Sequence, residues 1–156
     1  MSAPAFRPVL ALLFVFAACA CRDLDVVTES YATLEEAKKS GAIDRGWVPD
    51  GLPPGTTELR DAHDLDSNRH WGLFLFPQSE VDTLRRLLLL DEVSLAGRTI
   101  DIPGRVEWWP VLLRGRLDEE KIKNTGLRAY RSMRGDRLFL VNWQQGRAYY
   151  WSIGGA

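Results

Sequence analysis

The 156-residue chain has two cysteines, Cys19 and Cys21, and none after residue 21. A body without thiols has no disulfide, no cysteine nucleophile and no Cys-ligated zinc, so it must rely on its apolar core. Histidine is equally scarce: His63 and His70 are the only two. No glycine-rich phosphate loop follows any expected strand, and no elbow motif surrounds Ser67, which removes the familiar nucleotide-binding and serine-hydrolase settings. The formal net charge of −1 excludes a binder that works by neutralising nucleic-acid phosphates.

The remaining composition is that of one globular domain, 46% hydrophobic and 26% charged. Charge is unevenly placed, with thirteen acidic and six basic residues over 22–82, then eight acidic and thirteen basic from residue 83 on. Two halves of opposite sign are expected to complement one another within a single fold.

Residues 1–18 read as a signal peptide. Arg7 and the free amino group make a short positive region, and residues 9–18 form an apolar run of ten, too short to span a membrane. Phe16-Ala17-Ala18-Cys19 resembles the bacterial lipobox, which implies acylation at Cys19 and a lipid anchor in the cell envelope. Cys21 fits less well, because Ala18 stands where the bulky residue belongs. Ala20, in place of the inner-membrane retention aspartate, directs the expectation to the outer membrane, facing the periplasm. Residues 19–32 are then a lipidated tether and 33–156 the folded domain.

The organising stretch is 41–76. A capping box at Thr33-Leu34-Glu35-Glu36 starts a helix that Gly41 stops. The run GLPPG at 51–55 is a rigid turn, since its prolines lack donors. Residues 57–62 are extended, and 71–76 alternate with apolar residues on both faces, as in a central strand. A polar loop from His63 to His70 lies between them. Beyond it, a second capping box at 79–82 predicts a helix to Leu90, residues 95–102 predict a strand and turn, and 106–110 predict an extended segment. A short helix is expected over 117–124. The chain ends in three strands at 127–133, 137–143 and 147–153. The fold class expected is α+β: one antiparallel sheet with a C-terminal β-meander and two or three packed helices.

The candidate chemistry concentrates in Arg45, Trp47, His63, Asp64, Asp66, Asn68 and Trp71. Asp64-x-Asp66-x-Asn68 opens like a calcium loop, but Arg69 and Leu75 occupy the sixth and twelfth positions, so the EF-hand reading fails. A loop whose side chains cap their own backbone is the simpler reading. A histidine–carboxylate couple is conceivable there, without a nucleophile to serve. No cofactor or metal is expected. Six tryptophans and ten other aromatics fall mostly on alternating strand positions, where a core is expected. Trp108 and Trp109 are the pair most open to being an exposed binding platform. The arginines of the meander, Arg128, Arg131, Arg134, Arg137 and Arg147, read as a solvated face.

The series Tyr31, Glu35-Glu36-Ala37, Gly41-Ala42, Arg45-Gly46-Trp47-x-Pro49 and Leu52-Pro53, followed by His63-Asp64-x-Asp66-x-Asn68-x-x-Trp71, resembles the YbbD head-domain group. These are small bacterial proteins, many of them predicted lipoproteins. Trp109-Pro110-x-x-Leu113-x-Gly115 and Ala148-Tyr149-Tyr150-Trp151 are similar to it as well. The resemblance implies one domain and brings no activity, ligand or catalytic residue. The expected function is a non-enzymatic envelope lipoprotein, held to the membrane by its lipid and binding a protein partner. An immunity lipoprotein against a delivered toxin is the second reading, and a hydrolase the third.

Overall fold

The computed structural model describes residues 25–153. Strand β1 (Val26–Thr33) leads directly into helix α1 (Leu34–Lys39). Thr33 caps the helix: its hydroxyl accepts from the Glu36 N–H at 3.3 Å, and the Glu36 carboxylate accepts from the Ala32 N–H at 2.8 Å. The expected capping box is therefore present, with its return bond shifted one residue back. At the other end Gly41 stands at φ +78°. Its N–H donates to the Lys38 carbonyl at 2.9 Å and that of Ala42 to the Ala37 carbonyl at 3.1 Å, the two bonds of a Schellman stop.

The hairpin β2 (Thr57–Asp64) and β3 (Arg69–Leu75) follows, then α2 (Val81–Arg85) and the two-residue strands β4 (Leu88–Leu89), β5 (Thr99–Ile100) and β6 (Gly115–Arg116). Helix α3 (Glu119–Asn124) precedes the meander β7 (Arg128–Ser132), β8 (Arg137–Asn142) and β9 (Arg147–Ser152). Seven strands form one sheet in the order β1-β2-β3-β9-β8-β7-β4, every neighbour antiparallel, and β5 pairs with β6 separately. The fold class is α+β in one domain dominated by its sheet, as the sequence leads one to expect.

β3 lies inside the sheet and both its faces are covered. On one, Trp71 joins Ala62, Leu138 and Trp151 of the sheet with Leu95, Ile100, Val106, Trp109 and Leu113 from the 93–127 segment. On the other, Phe74 and Phe76 pack with Leu59, Phe139 and Tyr150 beneath α1, Val48, Leu52 and Leu84. Period-two alternation is what divides neighbouring residues between the two cores.

The structure corrects several sequence expectations. The tether does not run to residue 32, because β1 pairs with β2 from Val26 opposite Asp64 to Thr33 opposite Thr57. Only Val26 and Tyr31 of that strand are buried, so its alternation is faint, as on an edge strand with little core to meet. The second helix ends at Arg85, since Leu88 and Leu89 pair with Ser132 and Arg131 of β7. Its capping box does not form: Glu80 makes no cap bond, and its carboxylate instead accepts from the Gly55 N–H at 2.7 Å. Within 95–102 only Thr99 and Ile100 are strand.

The 106–113 run is not extended. Proline-led turns carry it, with Val106 N–H donating to the Pro103 carbonyl and Leu113 N–H to that of Pro110, and residues Val111–Leu113 are 3₁₀. Arg114 donates to the carbonyl oxygens of Val106 and Trp109, which replaces the ladder a strand would have used. Trp109 is 1% exposed, its indole N–H given to the Leu113 carbonyl at 2.9 Å, and Trp108 is half-buried against the same core. The pair is not an exposed platform.

Candidate functional site

On the face that holds Phe74, the sheet carries a row of polar residues at the end where β2 turns into β3. His63 stands opposite His70, and Arg137 opposite Ser152. The His70 backbone N–H donates to the Ser152 hydroxyl at 3.0 Å, which continues the row across the strands. In the adjoining row, Asp61 stands opposite Gly72, Gly72 opposite Tyr150, and Tyr150 opposite Phe139. Gly72 is required there by close approach. A Cβ on it would lie 1.9 Å from Cζ of the Tyr150 ring, which covers the glycine and carries its hydroxyl beyond it.

The loop after α1 closes over this row. Trp47 stacks on His63 with ring centroids 3.6 Å apart and planes 14° from parallel. The Arg45 guanidinium lies 4.0 Å from the centre of the same indole. Two groups so close to one ring cannot share a face, so the indole is sandwiched. Arg45 is tied down by donation to the Ser40 carbonyl at 2.7 Å. The sheet holds the loop from below: Arg137 donates to the Gly46 carbonyl, and the Tyr150 hydroxyl to the Trp47 carbonyl at 3.3 Å.

Asp61 and His63 are fully buried and joined by a 2.8 Å bond between Oδ2 and Nδ1. Burial holds the Asp61 carboxyl above the usual carboxylate range, against the lowering influence of His63 and Arg137. Burial also drives the Tyr150 hydroxyl well above its ordinary value, with the Asp61 charge adding to it. Asp61 Oδ1, His63 Nε2, His70 Nδ1 and Arg137 Nε are buried without a protein hydrogen-bond partner. An aspartate that orients an imidazole is the start of a general-base couple. Among the described residues, however, no hydroxyl is hydrogen-bonded to His63, whose outer nitrogen lies under the Trp47 lid. What the arrangement does chemically is fix that lid to the sheet.

His70 gives this layer a pH signature. Burial lowers its imidazole to about 4 from 6.5, and the Arg137 charge and His63 act in the same sense. The unfolded chain therefore takes up a proton that the folded chain refuses as pH falls through this interval. The stability contribution is complete above 6.5 and is lost as the pH drops towards 4. Asp61 runs the other way, with a contribution present below 3.8 that declines as pH rises through its raised value. The melting temperature of His70→Leu should accordingly fall less than that of the wild type between pH 7 and pH 5. Equal slopes would mean that His70 is not held neutral.

The predicted site residues are split by the sheet. Arg45, Trp47 and His63 meet on the polar-row face, whereas Trp71 lies on the other face, 2% exposed, with the Arg69 guanidinium 5.3 Å from its ring centre. Asp64, Asp66 and Asn68 belong to the β2–β3 turn. Asp64 Oδ1 accepts from the N–H groups of Asp66 at 3.0 Å and Ser67 at 3.2 Å, the expected self-capping. Partial burial raises the Asp64 carboxyl, but the Ser67 side chain, these two N–H groups and Arg69 together bring it below its ordinary value. Asn68 does not contribute a side-chain hydrogen bond as expected. It is exposed at φ +53°, a left-handed position that asparagine tolerates. Cys19 lies outside the described residues.

Sequence reading missed Asp61, His70, Arg137 and Tyr150 as members of this layer. The signal for the first was the alternation Asp61-x-His63 within a strand. Arg137, expected on a solvated face, is 9% exposed, because its position in β8 points into the row.

Among the described residues, no group of three or more His, Cys, Asp and Glu side chains is placed to hold a metal ion, and no helix is long and apolar enough to cross a membrane. Melting curves in calcium, magnesium or EDTA should therefore coincide. A cation at a hundred times its dissociation constant would stabilise by about 2.7 kcal/mol and shift the curve visibly, overturning the self-capping reading of the turn.

No curated protein and no solved structure matches the chain. The sequence similarities at Trp109-Pro110 and in β9 lie beyond the range that a family model matches. Residues 25–74, from the start of β1 through Phe74 of β3, match the model of the YbbD head domain, a similarity that spans β1, α1, the Trp47 lid and the β2–β3 hairpin.

Proposed function

We propose that the protein is a non-enzymatic, lipid-anchored module of the bacterial envelope that binds a protein partner. The observation that carries this reading is the distance between the lipobox cysteine and the sheet. β1 begins at Val26, seven residues after Cys19. Even fully extended, that tether reaches only about 25 Å. Val26 pairs with Asp64, so the chain enters at the end of the sheet that bears the β2–β3 turn. The β7–β8 turn lies at the same end, since Arg137 pairs with Ser152 beyond Trp151, the partner of Trp71. Leu65 and Met133, 59% and 60% exposed, project from these two turns. An acyl chain on Cys19 would hold this end towards the outer membrane and leave the opposite end, with the β8–β9 turn, facing the periplasm and a partner.

Among the described residues no nucleophile is bonded to the buried Asp61–His63 couple, which supports the non-enzymatic part of the reading. Palmitate labelling of cells should mark the wild type and not Cys19→Ser. Label that persists in Cys19→Ser and vanishes in Cys21→Ser would move the anchor to Cys21, and label lost in neither would remove it. Crosslinking in intact cells, followed by pull-down from solubilised membranes, should then capture one protein reproducibly from wild type and from His63→Gln alike. Loss of capture in a His63→Gln form that melts normally would contradict the structural assignment of the couple.

A further inference from the structure

A cleft of about 400 Å³ opens on the Trp71 face of the sheet, between the ends of β3 and β9 and the strand β5. Its inner wall comes from Trp71, Trp151 and Ile100, and its mouth carries Arg69, Arg98 and Asp101. Trp71 and Trp151 are direct partners across β3 and β9, so their indoles are set side by side by the register. Arg69, two residues before Trp71, shares its face by alternation.

The two arginines are incompletely used. Arg69 gives its Nε–H to the Ser67 hydroxyl at 2.9 Å, but its contacts with Asp64 and Asp101 are both 3.4 Å, longer than an optimal charge-assisted bond. The Asp101 side chain is 84% exposed, so water competes with it for that contact. Arg98 gives its Nε–H to the Ser94 carbonyl at 2.9 Å, and among the described residues it has no carboxylate partner. Arg69 and Arg98 face two carboxylates, Asp64 and the loosely held Asp101, so the mouth carries an excess of one positive charge once Asp101 turns out to water, above a wall of indole and aliphatic surface.

We propose that this cleft binds a small organic monoanion, a carboxylate on a flat or cyclic apolar body. The carboxylate oxygens take donors from Arg98 and Arg69, the latter released from Asp101, and the body enters against Trp71, Trp151 and Ile100. A singly charged group matches the charge left when Asp101 gives way, whereas a phosphate dianion would overfill it. Guanidinium suits the planar carboxylate, which can accept two parallel N–H bonds. A cleft of this size accommodates a body of one ring, within the range usual for small-molecule sites.

Benzoate and cyclohexanecarboxylate are suitable probes, followed by amide NMR on the folded domain with acetate and inorganic phosphate as controls. Both ring acids should give saturable shifts at residues around Trp71, Ile100 and Trp151, and bind more tightly than acetate or phosphate. Arg98→Gln, a change at a half-exposed side chain, should weaken benzoate about tenfold, the effect of one charge-assisted bond. Asp101→Asn should tighten it, because the competing carboxylate is gone. Unaltered melting curves for both variants would assign these changes to the site. Absence of saturation, equal affinity for phosphate, or benzoate binding unaffected by Arg98→Gln would each overturn the proposal.

Discussion

Gly72→Ala is expected to destabilise the domain by about 3 kcal/mol or more, the upper end of what overpacking costs and beyond. The added methyl would lie 1.9 Å from Cζ and 2.1 Å from Cε1 of Tyr150, a side chain with no exposed surface. The ring cannot step aside, since Phe74 and Phe139 pack around it and its hydroxyl holds the Trp47 carbonyl. Chemical denaturation with Tyr150→Ala as a second background tests the cause. There the same glycine substitution should cost less than about 1 kcal/mol, because the obstructing ring is absent. An equal cost in both backgrounds would locate the strain elsewhere.

Trp71→Ala is expected to remove about 3–5 kcal/mol, a large part of the roughly 5–15 kcal/mol that holds a domain of this size. Trp71 is 2% exposed and lies in the core with Trp109 and Trp151, so truncating it removes an indole's worth of packing there. The variant should unfold at or near ambient temperature by circular dichroism. Trp47→Ala should lose clearly less, since that indole is half-buried and covers rather than fills. A Trp71→Ala protein with the wild-type melting temperature would show that the first half of the chain does not centre on β3.

What could be read from the sequence follows how much each segment depends on its own residues. The meander was legible because Leu138 to Val141 and Tyr149 to Trp151 alternate between two apolar faces, with glycine in each turn. α1 was legible because capping is local. β1 was obscured because an edge strand owes its pairing to β2 and turns few side chains into the core. The leucines at 87–90 fit helix and strand periods equally, and only the free edge of β7 decides between them. The polar row was invisible for a related reason. Asp61, His63, His70 and Arg137 come from three strands, and their meeting depends on registers and on a glycine that makes room for Tyr150. The tryptophan beside Arg45 could be singled out, but its stacking on a histidine sixteen residues away could not.

The view that this polar row braces a lid, and is not a reaction centre, turns on whether its histidines are sealed. His70 is held neutral and would be nucleophilic if reached, so its protection reports access alone. Carbethoxylation of the folded protein at pH 7, read by mass spectrometry, should leave His63 and His70 unmodified over a time in which both react fully in urea. Modification of His63 in the folded protein, at a rate near that of the unfolded chain, would mean that the row is open to solvent and would contradict its assignment as an internal brace.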